Sequence, residues 1–230
     1  VFRIHFKPLR LSTAWWQLPA TCVILGCLLS SNAARAVESK PTAPATTVAA
    51  RPAVTPADGV AAWQKVYTVL IHPRCLNCHT STNFPQQGDD RHRHLFNVVR
   101  GAGGHGVSGM RCATCHQDAN ADSTGVPGAA DWHLAPLSMA WQDRSGKPLS
   151  SAAVARQVAD RARNGGLDGP ELIAHMQNAD LVKWAWHPGR RRDGRARSVP
   201  PLTHEQLVTA TRTWVEAGMP VPPERPAGGR

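Results

Sequence analysis

Two five-residue segments constrain this chain more than any other feature. Cys75-Leu76-Asn77-Cys78-His79 and Cys112-Ala113-Thr114-Cys115-His116 share the pattern CXXCH. Two cysteines three apart can each bond one vinyl group of the same porphyrin, and the histidine directly after the second is then held beneath the iron. The spacing therefore fixes covalent attachment and coordination together. It predicts two covalently bound haem c groups, with Cys75, Cys78, Cys112 and Cys115 as thioether anchors and His79 and His116 as proximal iron ligands.

A four-cysteine zinc site shares the CXXC…CXXC frame. It leaves the histidine after each pair without a purpose, and the stretch between the pairs exceeds the ~15–20 residues of the common zinc pattern. The remaining cysteines point the same way. Six are present, and Cys22 and Cys27 fall in an N-terminal segment with Arg3, Lys7 and Arg10, no acidic residue, an apolar stretch from Ala20 to Leu29 and the small-residue site Ala34-Arg35-Ala36. Residues 1–36 thus read as a secretory signal peptide cut before Val37, which predicts export to the bacterial periplasm and membrane association only if the segment is retained. Every cysteine beyond it lies in a CXXCH motif, so none is left for a disulfide.

The formal charge of +10 comes from 26 Lys/Arg and 16 Asp/Glu; four of the basic residues and no acidic one lie in residues 1–36, leaving +6 for the rest. Up to four haem propionates would bring this to about +2. That excess is too small to argue for nucleic acid, and no nucleic-acid-binding motif is present. Arg190-Arg191-Arg192 with Arg195 and Arg197 forms the one dense basic cluster. It reads as a solvated loop, with a docking patch for an acidic redox partner as the sharper alternative.

Residues 37–56 are rich in Pro, Ala and Thr and read as a linker. Asp58 is then a plausible N-cap for a helix carrying Val60, Trp63, Val66, Tyr67 and Leu70, ended by Pro73. Ser151 can cap a helix through Val154 and Val158. Pro170 suits the first turn of a helix that carries Leu172, Ile173, Leu181, Val182 and Trp184. Thr203 and Gln206 make a capping-box pair for a last helix with Leu207, Ala210 and Trp214 on its apolar stripe, closed by Gly218 and Pro220. Residues 220–230 read as a loose tail. Between 80 and 150 the chain is Gly-, Asn- and Asp-rich without alternation, so no strands are expected. The fold class is mainly α, a few helices and long loops wrapped around two haems. Independent haem domains would space the motifs by at least ~50 residues, whereas Cys75 and Cys112 are 37 apart. One domain over 57–219, with both haems sharing a core, is the expectation.

Each iron also needs a distal ligand or an open site. His94, beside Leu95 and Phe96, lies between the motifs where the chain can cross a haem face; His92 and His105 read as loop residues. His133 and Met139 share an apolar and aromatic stretch from Trp132 to Trp141. His72 and Met110 lie just before the first and second motifs, where neither easily reaches the distal face of its own haem, and each can serve the other. His175 lies mid-helix with Met176.

The paired motifs resemble those of c-type cytochromes. The ending Pro201-Leu202-Thr203-His204-Glu205-Gln206 through Trp214-Val215-Glu216-Ala217-Gly218 is similar to the C-terminal helix of many bacterial cytochrome c domains. The pattern departs from the single-haem fold, in which one motif is followed much later by a methionine. Trp132-His133-Leu134-Ala135-Pro136 resembles small dihaem proteins labelled as subunits of isoquinoline 1-oxidoreductase-type molybdenum hydroxylases. The resemblance implies an electron carrier without catalytic residues of its own, accepting electrons from a molybdenum hydroxylase or another periplasmic dehydrogenase and passing them to the respiratory chain. The rival expectation is a dihaem peroxidase-like enzyme with one open axial site.

Overall fold

A computed structural model describes residues 53–224. The expected signal peptide, most of the linker and the end of the tail lie outside the described residues. Six α-helices are present among them: α1 (Pro56–Leu70), α2 (Pro73–Leu76), α3 (Ser151–Ala159), α4 (Gly169–Asn178), α5 (Asp180–Trp184) and α6 (His204–Glu216). The protein is mainly helical, and a long irregular stretch from 77 to 150 joins α2 to α3.

Helix starts follow capping chemistry, with two shifts from the expected positions. In α1 the cap is Thr55, not Asp58. The Asp58 amide donates to Thr55 Oγ1 at 3.2 Å and the Thr55 amide donates to Asp58 Oδ2 at 3.0 Å, with Pro56 in the first turn, where its missing N–H costs nothing. In α3 the cap is Ser150, whose hydroxyl accepts from the Ala153 amide at 3.1 Å. Ser151 is thereby free to accept from Trp63 Nε1 at 3.0 Å, tying α3 to α1. The capping box of α6 lies at Thr203 and Gln206 as expected. The helix expected from Pro170 through Trp184 is two helices, because Ala179 leaves the helical region at φ −63°, ψ 129° and starts α5.

The core lies where α1, α3, α4 and α6 meet. Trp63 and Trp214 are fully buried, with ring centroids 4.4 Å apart, and Val66, Val69, Leu70, Val154, Val158, Leu172, Met176 and Leu207 surround them. Burying each large side chain stabilises the fold by about 2–3 kcal/mol. Leu76, inside the first CXXCH motif, belongs to this core at 1% exposure. The first motif is thus anchored by packing before any cofactor is considered.

The long loop does contain strands, though short ones. Two antiparallel hairpins form, β1 (Gln86–Gln87) with β2 (His92–Arg93) and β3 (Gly106–Val107) with β4 (Met110–Arg111). Two-residue strands carry no alternation that a sequence pattern can register. Polar side chains pin the loop. Arg100 is buried and donates to the carbonyls of Thr80 at 2.8 Å, Thr82 at 3.2 Å and Ala135. Asp89 receives Arg74, Arg191 and Ser198. Arg197 donates to the carbonyls of Pro188 at 2.9 Å and Gly125 at 2.6 Å. Part of the basic cluster is therefore structural, whereas Arg190, Arg192 and Arg195 are exposed.

Candidate functional site

The two CXXCH segments adopt the same local conformation. Each makes a single turn in which the histidine amide donates to the first cysteine's carbonyl, His79 to Cys75 at 2.9 Å and His116 to Cys112 at 2.9 Å. The second cysteine's amide reaches the same carbonyl at 3.2 Å in both. The turn brings both cysteines and the histidine of each motif to one side of a tight loop. All four thiols are free, with no disulfide.

The histidines are oriented alike as well. His79 Nδ1 lies 2.7 Å from the carbonyl of Met139, and His116 Nδ1 lies 2.7 Å from the carbonyl of Pro127. A carbonyl only accepts, so each Nδ1 carries the proton and each Nε2 is left with its lone pair. Each ring is also clamped by a tryptophan: His79 stacks on Trp141 with planes 6° apart, and His116 on Trp132 with planes 5° apart. Fixing the tautomer through Nδ1 and holding the ring plane is the arrangement that prepares an imidazole to bind a metal through Nε2.

The surroundings of the two motifs differ. Cys75, Cys78 and His79 border an apolar cavity of about 380 Å³, within the size range of cofactor sites. Its walls include Leu70, Val158, Leu172 and Leu207 from the helical core, and Trp132, Trp141 and Trp184. Burial pushes the Cys75 thiol up to about 12 and the Cys78 thiol up to about 11. Both are thus neutral thiols at ordinary pH. Burial likewise pushes His79 down to about 4, against the hydrogen bond to Met139, so its imidazole is neutral. The second motif sits at the surface. Cys115 is exposed, and Leu95 and Phe96 nearby are 58% and 77% exposed.

The distal candidates separate by position. His133, His175 and Met176 line the same cavity as His79. His175 borders that space though it is exposed, and desolvation lowers its pKa. Met139 also lines the cavity, but its carbonyl holds Nδ1 of His79, on the edge of the ring away from Nε2. Met110 is 38% exposed on β4. His94 is beside His116, with ring centroids 5.9 Å apart and planes at 69°. His72 is occupied as the cap of α2, accepting from the Arg74 amide at 3.2 Å.

The structure adds two features that composition and spacing did not single out. Trp132 lines the first cavity and stacks on the second motif's histidine, so one ring borders both sites. Further, His105, Asp131 and His133 bring one ligand atom each within 4.8 Å of one another. Among the described residues this is the group that could share a cation, and no cysteine belongs to it. The four-cysteine zinc arrangement therefore has no geometric counterpart there. His105 Nε2 and Asp131 Oδ1 are already 3.0 Å apart, and His105 stacks on His133, which accounts for the cluster without an ion.

Comparison with known protein families, with curated proteins and with solved structures returns no match. Among the described residues, no helix is long and apolar enough to cross a membrane.

Proposed function

We propose that this chain is an exported dihaem c-type cytochrome that carries electrons between proteins of the periplasm. The observation that carries the reading is repetition. Two CXXCH turns of the same conformation each end in a histidine with Nδ1 held by a backbone carbonyl, Nε2 free and the ring clamped by a tryptophan. A structural turn needs none of these constraints twice over.

The residues around the first motif fit the group. Cys75 and Cys78 would hold it by thioether bonds, His79 Nε2 would bind its iron, and the apolar wall would exclude water from its face. Arg74 and Trp141 line the cavity, and Arg74 Nε and Trp141 Nε1 are buried donors without a partner among the described residues. Such donors suit a cofactor that bears carboxylates. When bound, haem iron supplies reversible one-electron chemistry, with a potential set by axial ligands, nearby hydrogen bonds and burial. The protein's own part is to fix the two imidazoles, keep the thiols in reach and hold the two sites on either side of Trp132. The partner we propose is a dehydrogenase such as a molybdenum hydroxylase, as the cytochrome resemblance implies, with exposed Arg190, Arg192 and Arg195 available for electrostatic steering.

The test is a pyridine haemochrome assay on protein secreted into a periplasm with active haem attachment. Two haems per chain are expected, one after Cys75→Ala/Cys78→Ala or Cys112→Ala/Cys115→Ala. A haem-free protein that folds would end the proposal. Rapid binding of carbon monoxide or peroxide would favour the enzyme reading over the carrier.

A further inference from the structure

The geometry points to His94 as the second axial ligand of the iron held by His116, making the second site a closed bis-histidine centre. The inference rests on the haem reading above and concerns only which residue occupies the far side of one iron.

Three observations converge on it. First, two imidazole nitrogens bound to one metal from opposite sides at about 2 Å each put their ring centroids roughly 6 Å apart, and the rings of His94 and His116 are separated by 5.9 Å. Second, both rings are in the tautomer that coordination needs. His94 Nδ1 lies 2.7 Å from the Leu95 carbonyl and His116 Nδ1 lies 2.7 Å from the Pro127 carbonyl, so both protons are on Nδ1. Neither Nε2 has a hydrogen-bond partner among the described residues. An ordinary edge-to-face pair also falls at such distances, but it does not require both free nitrogens to be lone-pair donors. Third, the segment that carries His94 is built in a way that packing alone does not reward. Phe96 holds left-handed backbone at φ 61°, a conformation that costs a bulky residue about 1–2 kcal/mol, and Asn97 follows at φ 52°, which asparagine tolerates. The result is Leu95 and Phe96 standing 58% and 77% exposed beside the histidine, an apolar flank with nothing in the described chain to cover it.

The hairpin below fixes the ring's approach. The His94 amide donates to the Pro85 carbonyl at 3.0 Å, and the Leu95 amide to Gln87 Oε1 at 3.3 Å, so His94 leaves β2 in a set direction. His92, two residues earlier, is the natural control. Both of its ring nitrogens are engaged, Nδ1 with Asp90 Oδ1 at 2.7 Å and Nε2 with Gln87 Nε2 at 3.0 Å. The functional consequence is asymmetry: with His94 and His116 holding its iron from both sides, a haem at the second motif would supply electron transfer without an open position, and ligand binding would fall to the first site.

The experiment is low-temperature EPR of the purified oxidised holoprotein, with haem content measured in parallel. His94→Ala is expected to keep two haems per chain while half of the haem converts from low-spin to high-spin, with imidazole restoring it, and to let one more ferrous haem per chain bind carbon monoxide than in wild type. His92→Ala is expected to change neither signal. His94→Met, which can still coordinate, is expected to raise the potential of one haem and leave the other, since methionine ligation raises potentials relative to histidine. An unchanged low-spin spectrum in His94→Ala with two haems bound overturns the assignment and leaves the haem reading intact. Absence of haem from the wild type overturns both. If His94→Ala does not accumulate, an unshifted pair of potentials in His94→Met decides against it.

Discussion

Trp141 lies flat on the imidazole of His79, ring centroids 3.4 Å apart and planes 6° apart. The stack joins the first motif to the far end of the long loop, and the backbone repeats the join where the Trp141 amide donates to the His79 carbonyl at 3.0 Å. Trp141 is 3% exposed, and its Nε1 has no partner among the described residues. Trp141→Phe keeps a flat ring and loses only the indole donor and part of the ring area, so its stability is expected to fall by less than that of the alanine variant. Trp141→Ala removes the clamp, with an expected cost of about 3–5 kcal/mol. Chemical denaturation of both variants, as purified, checks the contrast; equal losses would mean that the ring plane is immaterial.

On the proposed haem reading, the two motifs should contribute unequally to stability. The first motif's cavity is cut into the helical core, with Leu70, Leu172 and Leu207 on its wall, whereas Ala113, Thr114 and Cys115 of the second motif are exposed. Leaving the core cavity unfilled is expected to cost at least ~3 kcal/mol more than losing the surface group. For a chain of this size that is roughly 6–12 °C in Tm. Melting Cys75→Ala/Cys78→Ala beside Cys112→Ala/Cys115→Ala measures it, and an equal Tm in the two would contradict the asymmetry.

What the sequence made legible is what local chemistry decides. The CXXCH spacing, the Thr203–Gln206 capping box and the apolar stripe through Leu207 and Trp214 all act within one or two turns. Adjacent eligible residues blurred the other helix starts: Ser150 and Ser151 are both good caps, and only the distant demand of the Trp63 indole assigns them separate tasks. The break at Ala179 was hidden because apolar residues continue on both sides of it. Non-local pairings were beyond reach. Arg191 reads as a solvated charge until the fold brings it to Asp89, 102 residues away. His94 was one histidine among several until the loop set it beside His116.

Asp89 gives the fold an acid-sensitive joint. Burial by itself would raise its carboxyl, but the hydrogen bond from Ser198 and the guanidiniums of Arg74 and Arg191 outweigh that and hold it below the ordinary value. A carboxylate whose folded pKa is lowered stabilises the fold above the unfolded value of about 3.9. That stabilisation disappears as pH falls through the lower folded value. Wild-type Tm is therefore expected to fall more steeply below about pH 4 than that of Asp89→Asn. At neutral pH the variant leaves Arg74, 5% exposed, without its counter-charge and is expected to lose about 3 kcal/mol. Thermal melts of both proteins from neutral to acidic pH test this; parallel curves would mean that Asp89 is not the titrating group.

Gly104 is where the second motif is fastened to the segment that clamps it. Its carbonyl accepts from the Leu134 amide at 3.0 Å, just after Trp132 in the chain, and lies 3.7 Å from Sγ of Cys112, the motif's first cysteine. The approach is possible only without a side chain, since a Cβ at Gly104 would lie 2.3 Å from the Leu134 carbonyl oxygen, and φ is +81°. Gly109, in the turn between β3 and β4, has φ +96° but open space around it. Gly109→Ala therefore measures backbone strain alone, about 1–2 kcal/mol, and Gly104→Ala adds a steric clash with a main-chain atom that cannot rotate away. Gly104→Ala is expected to cost at least ~1 kcal/mol more than Gly109→Ala. On the proposed haem reading it is also expected to perturb the spectrum of a haem at the second motif, because the displaced segment carries the ring stacked on His116, and to leave that of a haem at the first motif unchanged. Denaturation curves and EPR spectra of the two variants side by side decide it: matched stabilities with an undisturbed second haem would show that the Gly104–Leu134 contact does not hold the site.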